Sequence, residues 1–459
     1  FIIDDQGPGS KTITATDTSG NFATTAYCLL ATGSVTVHNA SGGFVGTYTT
    51  IQAGVNACPI GGTVSIRGGT YTERVVPPNS GTITKFITIM AQPGDVVTID
   101  GTGITLSEVW DDGLLVIEGK SYIKVSGIRI INAGPYSGNC GILIDNSDNI
   151  IIDKNYTYNS VSSGIGVWNS NNIIIDGNEV ELACNDGRQE CITVGGTSSA
   201  FEVKNNHVHH GGPGTNGGEG IVIKDFSNNG KVYNNHVHDL NRLGIYIDAE
   251  AGNTDNIEVF QNIVHDCAND GLTLASEQGG LLSNINVYNN IIYNNKLVGI
   301  NITPNGTATN PPMQNLKIIN NTIYNNGTGT WGGGIAAGNP NITGLVIRNN
   351  VVSQNLIFQI AIEGTVTNLS VDHNLIDGYR EYIDEIYGSD SVTGDPKFVD
   401  TSTLNFHLQA SSPAIDKGTS TDAPSTDFDA NPRPQDAGYD IGAYEFQGTP
   451  TYPQITLPP

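Results

Sequence analysis

The stretch "FEVKNNHVHHGG" (Phe201–Gly212) is followed by "KVYNNHVHDL" (Lys231–Leu240), and "IEVFQNIVHD" (Ile257–Asp266) repeats the pattern more weakly. In each stretch, alternating apolar residues lead into an asparagine. Asparagines of this kind recur at intervals of 23 to 31 residues: Asn155, Asn178, Asn206, Asn235, Asn262, Asn290, Asn321, Asn350 and Asn374. A repeat of this length with alternating apolar positions indicates a solenoid whose coils are built from short β-strands.

Most repeats also contain a second short strand that begins with glycine. These strands start at Gly141, Gly164, Gly220, Gly244, Gly271 and Gly299, with sequences such as "GIVIK" and "GIYID". Coils with two or three strands predict a parallel β-helix, whose rungs lie about 4.8 Å apart. An inward asparagine at each turn can bond to its copies above and below, so that no buried amide group lacks a partner.

The two ends of the repeat region resemble segments of a known superfamily. "YTTIQAGVNACPIGGTVSIRGGTYTERV" (Tyr48–Val75) is similar to the N-terminal cap helix and first rung of the right-handed parallel β-helix, or pectate-lyase-like, superfamily. Ser411–Phe446, which contains "DFDANPRPQDAGYDIGAYEF", resembles the end segment of many bacterial surface β-helix proteins. The resemblance implies an all-β, right-handed, single-stranded parallel β-helix. It specifies the fold and leaves the activity open, because the group includes polysaccharide lyases, hydrolases and epimerases.

We therefore predict four parts: an N-terminal β segment (1–47), the parallel β-helix (48–395), C-terminal rungs with a cap (396–446) and an extended tail (447–459). Solenoids need capped ends, which the second and third parts supply. The strand-like segments at both termini could dock onto neighbouring subunits, so self-association is one expectation.

The composition limits the binding partners and the cellular compartment that we expect. The net charge of −25 argues against nucleic acid and would repel an anionic polysaccharide unless cations or a local basic patch intervened. No apolar run reaches the roughly 18 to 20 residues of a membrane span. A first residue other than Met is interpreted as a mature, exported chain. Sequons begin at Asn39, Asn155, Asn301, Asn305, Asn320, Asn326, Asn341 and Asn368 and are consistent with a secreted glycoprotein.

The six cysteines form no Cys-x-x-Cys pair, which argues against a structural zinc site. Cys184 and Cys191 bracket a short polar loop and could form a disulfide that closes it. Cys28 with Cys58 is the next plausible bridge.

Alternation along the strands selects the candidate site residues. If Ile221 and Ile223 point inward, Lys224 points outward, with Tyr246 and Asp248 outward one rung later. The central rungs, about residues 200 to 280, are therefore the predicted polysaccharide groove. Its candidate residues are Lys224, Asp248, Glu250 and Glu277 for catalysis and Arg242, Tyr246, Trp168, His209 and His238 for substrate binding.

Two mechanisms fit such a groove. In a lyase, Lys224 would be the base and Arg242 would bind the uronate carboxylate, with Asp225, Asp248 and Glu250 available for Ca²⁺. Against this, a neighbouring Asp248 would raise the pKa of Lys224. In a hydrolase, Glu250 and Glu277 would stack one rung apart, because both lie six residues after the glycine of their rung.

Simpler interpretations stand beside these. Lys224 and Asp248 could form a salt bridge on a solvated face, and Trp168 and Tyr246 could be ordinary surface packing. Six of the nine histidines fall between His207 and His265, and two imidazoles of one column could converge on a metal. However, that column changes to tyrosine and glutamate in other rungs, so we predict no metal site there. In the C-terminal segment, Asp427, Asp429, Asp440 and Glu445 fit turn chemistry better than a calcium clip.

The leading expectation is a secreted β-helix protein that binds or cleaves extracellular polysaccharide. The rival expectation is a non-catalytic surface or filament protein that assembles through its terminal segments. The absence of a carboxylate pair on the strand beside Lys224 favours the rival.

Overall fold

The computed structural model describes residues 34–108, 112–186, 189–213 and 217–448, together with the backbone of two antiparallel N-terminal strands, Gly9–Thr16 and Phe22–Leu29. The described chain winds into a parallel β-solenoid with three long sheets, and the predicted fold class is confirmed. Isoleucine, valine and leucine side chains from all three sheets fill one continuous core.

Fourteen strands of the described chain form the first sheet: Val35–His38, Phe44–Tyr48, Thr63–Ile66, Ile87–Ala91, Ser121–Ser126, Asp148–Asp153, Asn171–Asp176, Glu202–Lys204, Asn228–Tyr233, Thr254–Phe260, Leu282–Tyr288, Met313–Ile319, Ile342–Arg348 and Val366–Asp372. The second sheet contains Gly69–Tyr71, Val97–Asp100, Ile128–Ile131, Tyr156–Tyr158, Glu179–Glu181, His207–His209, His236–His238, Ile263–His265, Ile291–Tyr293, Thr322–Tyr324, Val351–Ser353, Leu375–Asp377 and Val392–Thr393. The third contains Asp112–Glu118, Asn139–Asp145, Ile165–Trp168, Ile192–Gly195, Ile221–Ile223, Ile245–Asp248, Leu272–Ala275, Ile300–Thr303, Ile335–Ala337 and Ile360–Ala361.

The asparagine column forms the predicted ladder at the turn between the first and second sheets. Asn235 is representative. Its Oδ1 accepts from the backbone N–H and the Nδ2 of Asn206, both at 3.0 Å, and its Nδ2 donates to Asn262 Oδ1 and Val203 O, both at 2.9 Å. The residue before it, Asn234, has φ 54, a left-handed conformation that asparagine adopts more readily than most residues. The repeated "NN" therefore combines a turn former with a buried ladder residue.

The glycines that begin the third-sheet strands are required by close approach. A Cβ on Gly244 would lie 2.3 Å from Val264 Cγ1 and 2.5 Å from the carbonyl oxygen of Gly271 in the next rung. The chain turns the corner into the third sheet too tightly for any side chain at this position.

The N-terminal end of the coil is closed as the resemblance implies. Helix Ile51–Ala57 buries Ile51 and Val55, and both carboxylate oxygens of Glu73 accept its first backbone N–H groups at 2.8 Å. Strand Val35–His38 pairs antiparallel with Thr63–Ile66 in the first sheet. The predicted boundary at residue 47 falls inside strand Phe44–Tyr48, which belongs to the same sheet.

The C-terminal segment folds back along the coil. After the antiparallel pair Phe398–Asp400 and Asn405–Leu408, which flanks the 3-10 turn Thr401–Thr403, the chain covers the outer face of the second sheet. Arg433 anchors it there with a buried ion pair to Glu445 at 2.6 Å and a bond to Asn289 at 3.1 Å. Apart from the short strand Val392–Thr393 before it, the segment adds no rung in the described chain.

The acidic residues proposed for a calcium clip serve this segment. Asp427 accepts backbone N–H groups from Asn431 and Glu445, at 2.8 and 3.1 Å. Asp440 accepts from Asp416 and Phe446, at 2.8 and 2.6 Å. Turn chemistry therefore accounts for both carboxylates.

Several expectations about modification change with the fold. Asn155, Asn320 and Asn326 are buried, so these sequons cannot carry a glycan in the folded chain. Cys184 and Cys191 are buried neighbouring thiols rather than the predicted disulfide. The Cys28 side chain and the tail beyond Gly448 lie outside the described residues. No helix in the described chain has the length and apolar character needed to cross a membrane.

Candidate functional site

Lys224 follows strand Ile221–Ile223 on the outer side of the third sheet, where its side chain is only 13% exposed. Its ammonium donates to Glu190 Oε1 at 3.0 Å and to Gln189 Oε1 at 3.1 Å. It also lies 5.7 Å from the centre of the Trp168 ring. The predicted salt bridge with Asp248 is wrong, since among the described residues Lys224 pairs with Glu190 instead.

The charges around Lys224 argue against the predicted role of a lyase base. Burial lowers the pKa of Lys224, but the charge and hydrogen bond of Glu190, together with the charges of Glu250 and Asp225, outweigh burial and raise that pKa above its usual value. The ammonium therefore keeps its proton at neutral pH. This protonation state disfavours Lys224 as a general base.

Arg242 pairs with Glu219, with Nε to Oε1 at 2.9 Å. Burial, and then the charge of Glu190, raise the pKa of Glu219 to about 7 against the opposing effect of Arg242. The predicted partner of a substrate carboxylate is thus already paired, with part of its guanidinium exposed at the edge of the site.

Four acidic residues meet beside Lys224: Asp225, Asp248, Glu250 and Glu277, which we call the carboxylate cluster. The backbone N–H of Glu277 donates to Asp248 Oδ1 at 3.2 Å, and Asp225 shares a hydrogen bond with Glu250. Asp225 and Glu250 adopt positive φ values of 48 and 28, so both lie on tight turns at the strand ends. The cluster thus combines residues of adjacent rungs through irregular turns.

Further hydrogen bonds orient the two glutamates of the cluster. The Tyr246 hydroxyl bonds to Glu277 Oε1 and accepts from Asn305 Nδ2 at 2.9 Å. Gln278 Nε2 donates to Glu250 Oε1 at 2.7 Å. Each glutamate is half-buried, with one side of its carboxylate fixed by protein.

Burial and mutual repulsion shift the protonation of the cluster. Asp248 is 2% exposed, and burial together with the charges of Glu277 and Glu250 raises its pKa to about 7. Burial, followed by the charge of Asp225, also raises the pKa of Glu250. A raised pKa makes a carboxyl group easier to protonate, which is a property that a general acid requires.

The predicted stacking of Glu250 and Glu277 agrees with the register. Ile247 pairs with Leu274 and Asp248 with Ala275, so the two glutamates follow aligned strands. The charge of Glu277 also contributes to the raised pKa of Glu250, which places the two within electrostatic reach.

Neither predicted sugar platform presents an open aromatic face. Tyr246 is 5% exposed and packs with Val222, Leu243 and Ala275 beneath the loops. The Trp168 ring lies over Gly195 of the next rung, where an added Cβ would be 2.3 Å from Cζ3. These side chains are outward, as alternation predicts, but neighbouring segments cover them.

His209 and His238 lie on the outer face of the second sheet, so the structure does not bring them together with Lys224. His209 contacts Glu179 at 3.1 Å and His238 contacts Asp239 at 2.6 Å. Their predicted role in the same groove is corrected.

Sequence reasoning missed Glu190, Gln189 and Asn305, which lie in loops outside the strands. Glu190 sits two residues before strand Ile192–Gly195 and also accepts from the Thr193 hydroxyl at 2.9 Å. A buried lysine requires a counter-charge. Glu190 could have been identified from sequence as an acidic residue just before the strand of the adjacent rung.

A cavity of about 460 Å³ lies elsewhere, between the C-terminal hairpin and the second sheet. Its acidic residues include Asp395, Asp400 and Asp377. Hydrogen bonds with Lys397 and Ser402 lower the pKa values of Asp395 and Asp400 respectively, so both remain ionised at neutral pH. Asp395 and Asp400 therefore lack the proton that a general acid needs.

The family described as "Right handed beta helix region" matches residues 89–224 and 188–311, and "Disaggregatase related" matches residues 282–383. The uncharacterized protein YwoF of Bacillus subtilis (strain 168) is 28% identical in an alignment 424 residues long that covers 80% of this chain and 88% of that protein.

Solved structures share the architecture at low identity. A hyperthermoactive exopolygalacturonase from Thermotoga maritima has a TM-score of 0.52 at 13% identity and covers 67% of this chain and 84% of its own. XylC in complex with xylose has a TM-score of 0.51 at 12% identity, with 87% and 96% covered. These similarities establish the fold.

Proposed function

We propose, on the premise that the chain belongs to the right-handed parallel β-helix superfamily, that it binds a polysaccharide over the third sheet and hydrolyses it at the carboxylate cluster. We place this activity outside the cytoplasm, where such polymers occur. The names of the two solved relatives, a polygalacturonase and a xylose complex, are in keeping with a carbohydrate ligand.

One observation carries the proposal: Glu250, with its raised pKa, shares a hydrogen bond with Asp225 within electrostatic reach of a second half-buried glutamate, Glu277. Glycoside hydrolysis requires a protonated carboxyl group and an ionised one on either side of the scissile bond. Here Glu250 is the general acid. Glu277, oriented by the Tyr246 hydroxyl, is the carboxylate that attacks the anomeric carbon or activates water.

The reaction would proceed by cleavage of the glycosidic bond followed by addition of water. Glu250 donates its proton to the glycosidic oxygen as the bond to the anomeric carbon breaks. Water then adds its hydroxyl to that carbon, and its remaining proton returns to the carboxylate pair. Asp225 acts as a positioning residue whose charge favours the protonated form of Glu250. Asp248 accepts the backbone N–H of Glu277 and so positions that residue.

The same charges favour a neutral glycan over a uronate. Among the described residues near the cluster, Lys224 is bound by Glu190 and Arg242 by Glu219. Neither is free to neutralise a substrate carboxylate, while the cluster itself is acidic. A uronate-specific lyase would need both a free cation and a neutral base at this position.

Calcium enters the proposal as a competitor. Asp225, Asp248 and Glu250 supply the hard oxygen ligands that Ca²⁺ prefers. Because Asp225 and Glu250 share a hydrogen-bonded proton, an ion bound there would displace it. We therefore expect added Ca²⁺ to slow hydrolysis and a chelator to leave it intact.

The test is an activity screen of the full chain on neutral and uronate polysaccharides, with release of reducing ends as the readout. Glu250→Gln and Glu277→Gln should each lower turnover by about 10²- to 10⁴-fold. The matched control is Glu118→Gln, an exposed glutamate at the end of another strand of the same sheet. Circular dichroism checks that each variant is folded.

Three outcomes would overturn the proposal. Full activity in Glu250→Gln would remove the acid, and unsaturated products that disappear in Lys224→Ala would establish a lyase instead. Absence of turnover on every glycan would favour the non-catalytic surface role.

A further inference from the structure

The outer face of the second sheet carries an array of stacked imidazoles. His207 and His236 occupy one column, and His209, His238 and His265 occupy the neighbouring column. Rings within a column are nearly parallel: His207 and His236 lie 5.0 Å apart, and His238 and His265 lie 4.9 Å apart. Across the columns, Nε2 atoms approach to 2.8 Å in the pairs His207–His238 and His236–His265. We call these five residues the histidine array.

Adjacent carboxylates fix which nitrogens carry lone pairs. Asp239 Oδ2 lies 2.6 Å from His238 Nδ1, and Asp266 Oδ2 lies 2.7 Å from His265 Nδ1. Each Nδ1 therefore carries the hydrogen, and each Nε2 presents a lone pair toward the other column. His236 Nε2 must then donate to His265, which leaves His236 Nδ1 as an acceptor.

That acceptor has no partner in the described part of the chain. His236 Nδ1 is buried, and no hydrogen bond reaches it from the described residues. A buried polar atom without a partner costs about 1–3 kcal/mol. Packing alone does not explain an imidazole here, because the same column continues with Ile263 and Ile291.

We propose that His207, His236 and His238 bind a divalent transition metal ion of the zinc type. Ligand nitrogens of the three residues lie within 4.8 Å of one another. Neutral imidazole is a preferred ligand for such ions, and Asp239 supplies the carboxylate that commonly orients a metal-bound histidine. Three protein ligands leave a fourth position for water or another group.

The required adjustment is small. Two nitrogens bound to one tetrahedral ion at ~2.0–2.1 Å stand about 3.3 Å apart. The His207–His238 contact of 2.8 Å would therefore open by rotation of the rings as the ion replaces the shared hydrogen.

Burial shields the ligands from solvent. His207 and His236 are only 9% and 8% exposed, although both lie on the outer face of the second sheet.

The experiment measures Zn²⁺ and Co²⁺ binding to the full chain after chelator treatment. We expect about one tightly bound equivalent, a Co²⁺ spectrum typical of nitrogen ligands in tetrahedral geometry, and a higher unfolding temperature with Zn²⁺. His236→Ile removes one ligand but supplies the residue found one rung later in its column, Ile263. Asp239→Asn removes the orienting carboxylate at a left-handed position (φ 51) that suits asparagine.

Both variants should weaken Zn²⁺ binding by at least about tenfold. His373→Asn is the matched control, because His373 lies outside the array at φ 51, just before a ladder asparagine, where other rungs have asparagine. It should bind Zn²⁺ as the unmodified chain does. No stoichiometric binding, or binding unchanged in both His236→Ile and Asp239→Asn, would overturn the proposal. Neither result bears on hydrolysis, which the carboxylate cluster carries on another sheet.

Discussion

Replacing Asn235 with alanine tests whether the asparagine ladder determines the stability of the coil. The side chain is 1% exposed and takes part in four hydrogen bonds of 2.9 to 3.0 Å. Alanine would remove the acceptor of both the backbone N–H and one amide hydrogen of Asn206. Asn262 Oδ1 would still accept from the backbone of residue 235 at 3.0 Å.

The expected loss of stability follows from the two Asn206 donors that would be left without an acceptor. Each buried donor without a partner costs about 1–3 kcal/mol, so Asn235→Ala should lower the free energy of unfolding by roughly 2–6 kcal/mol. The adjacent Asn234 is exposed and left-handed, with φ 54. Asn234→Gly keeps that conformation without strain and should change stability by less than about 1 kcal/mol.

Guanidinium unfolding followed by circular dichroism measures the difference between the two variants. Because solenoids can unfold segment by segment, hydrogen exchange of the peptide around Asn206 and His207 provides a local readout. The reasoning would be refuted by a loss below about 1 kcal/mol in Asn235→Ala, or by unchanged protection of that peptide.

Two further predictions concern buried charge. Arg433→Met leaves Glu445 buried without its cation, so the free energy of unfolding of the C-terminal segment should fall by about 3–5 kcal/mol. Limited proteolysis should then cut this segment in the variant and leave it intact in the unmodified chain. For Asp248, the folded pKa of about 7 lies above the ordinary carboxyl value, so its stabilising contribution is present in acid and is lost as the pH rises towards 7. The unfolding temperature of Asp248→Asn, relative to that of the unmodified chain, should therefore rise as the pH increases from about 4 to 8. If the two plots of unfolding temperature against pH are parallel, the assigned burial of Asp248 is wrong.

The repeating parts of the fold were predictable from sequence. Asn206 and Asn235 recur with a period that only a coil satisfies, and their positions fix which strand residues face inward. Ile221 and Ile223 are in the core as alternation predicts. Local sequence specifies these positions because every rung repeats the same contacts with its neighbours.

The coverings of the outer faces were not predictable in this way. Tyr246 points outward but is buried, and its hydroxyl accepts a hydrogen bond from Asn305, which is 59 residues away in the sequence. Lys224 is bound by Glu190, which lies 34 residues earlier in the chain. The C-terminal segment reaches back 144 residues, from Arg433 to Asn289. Periodicity carries no information about such contacts.

The two candidate sites arise from the coil by different routes. The histidine array needs only identical residues at equivalent positions, since register alone brings His207 and His236 into a stack. The carboxylate cluster needs departures from the repeat, with positive φ at Asp225 and Glu250 turning acids of adjacent rungs toward one another. A column can therefore acquire ligands by duplication of a rung. A cluster of like charges, which oppose one another, has to be held by specific partners such as Tyr246 and Gln278. That requirement is why we assign the proton chemistry to the irregular turns and metal binding to the regular strands.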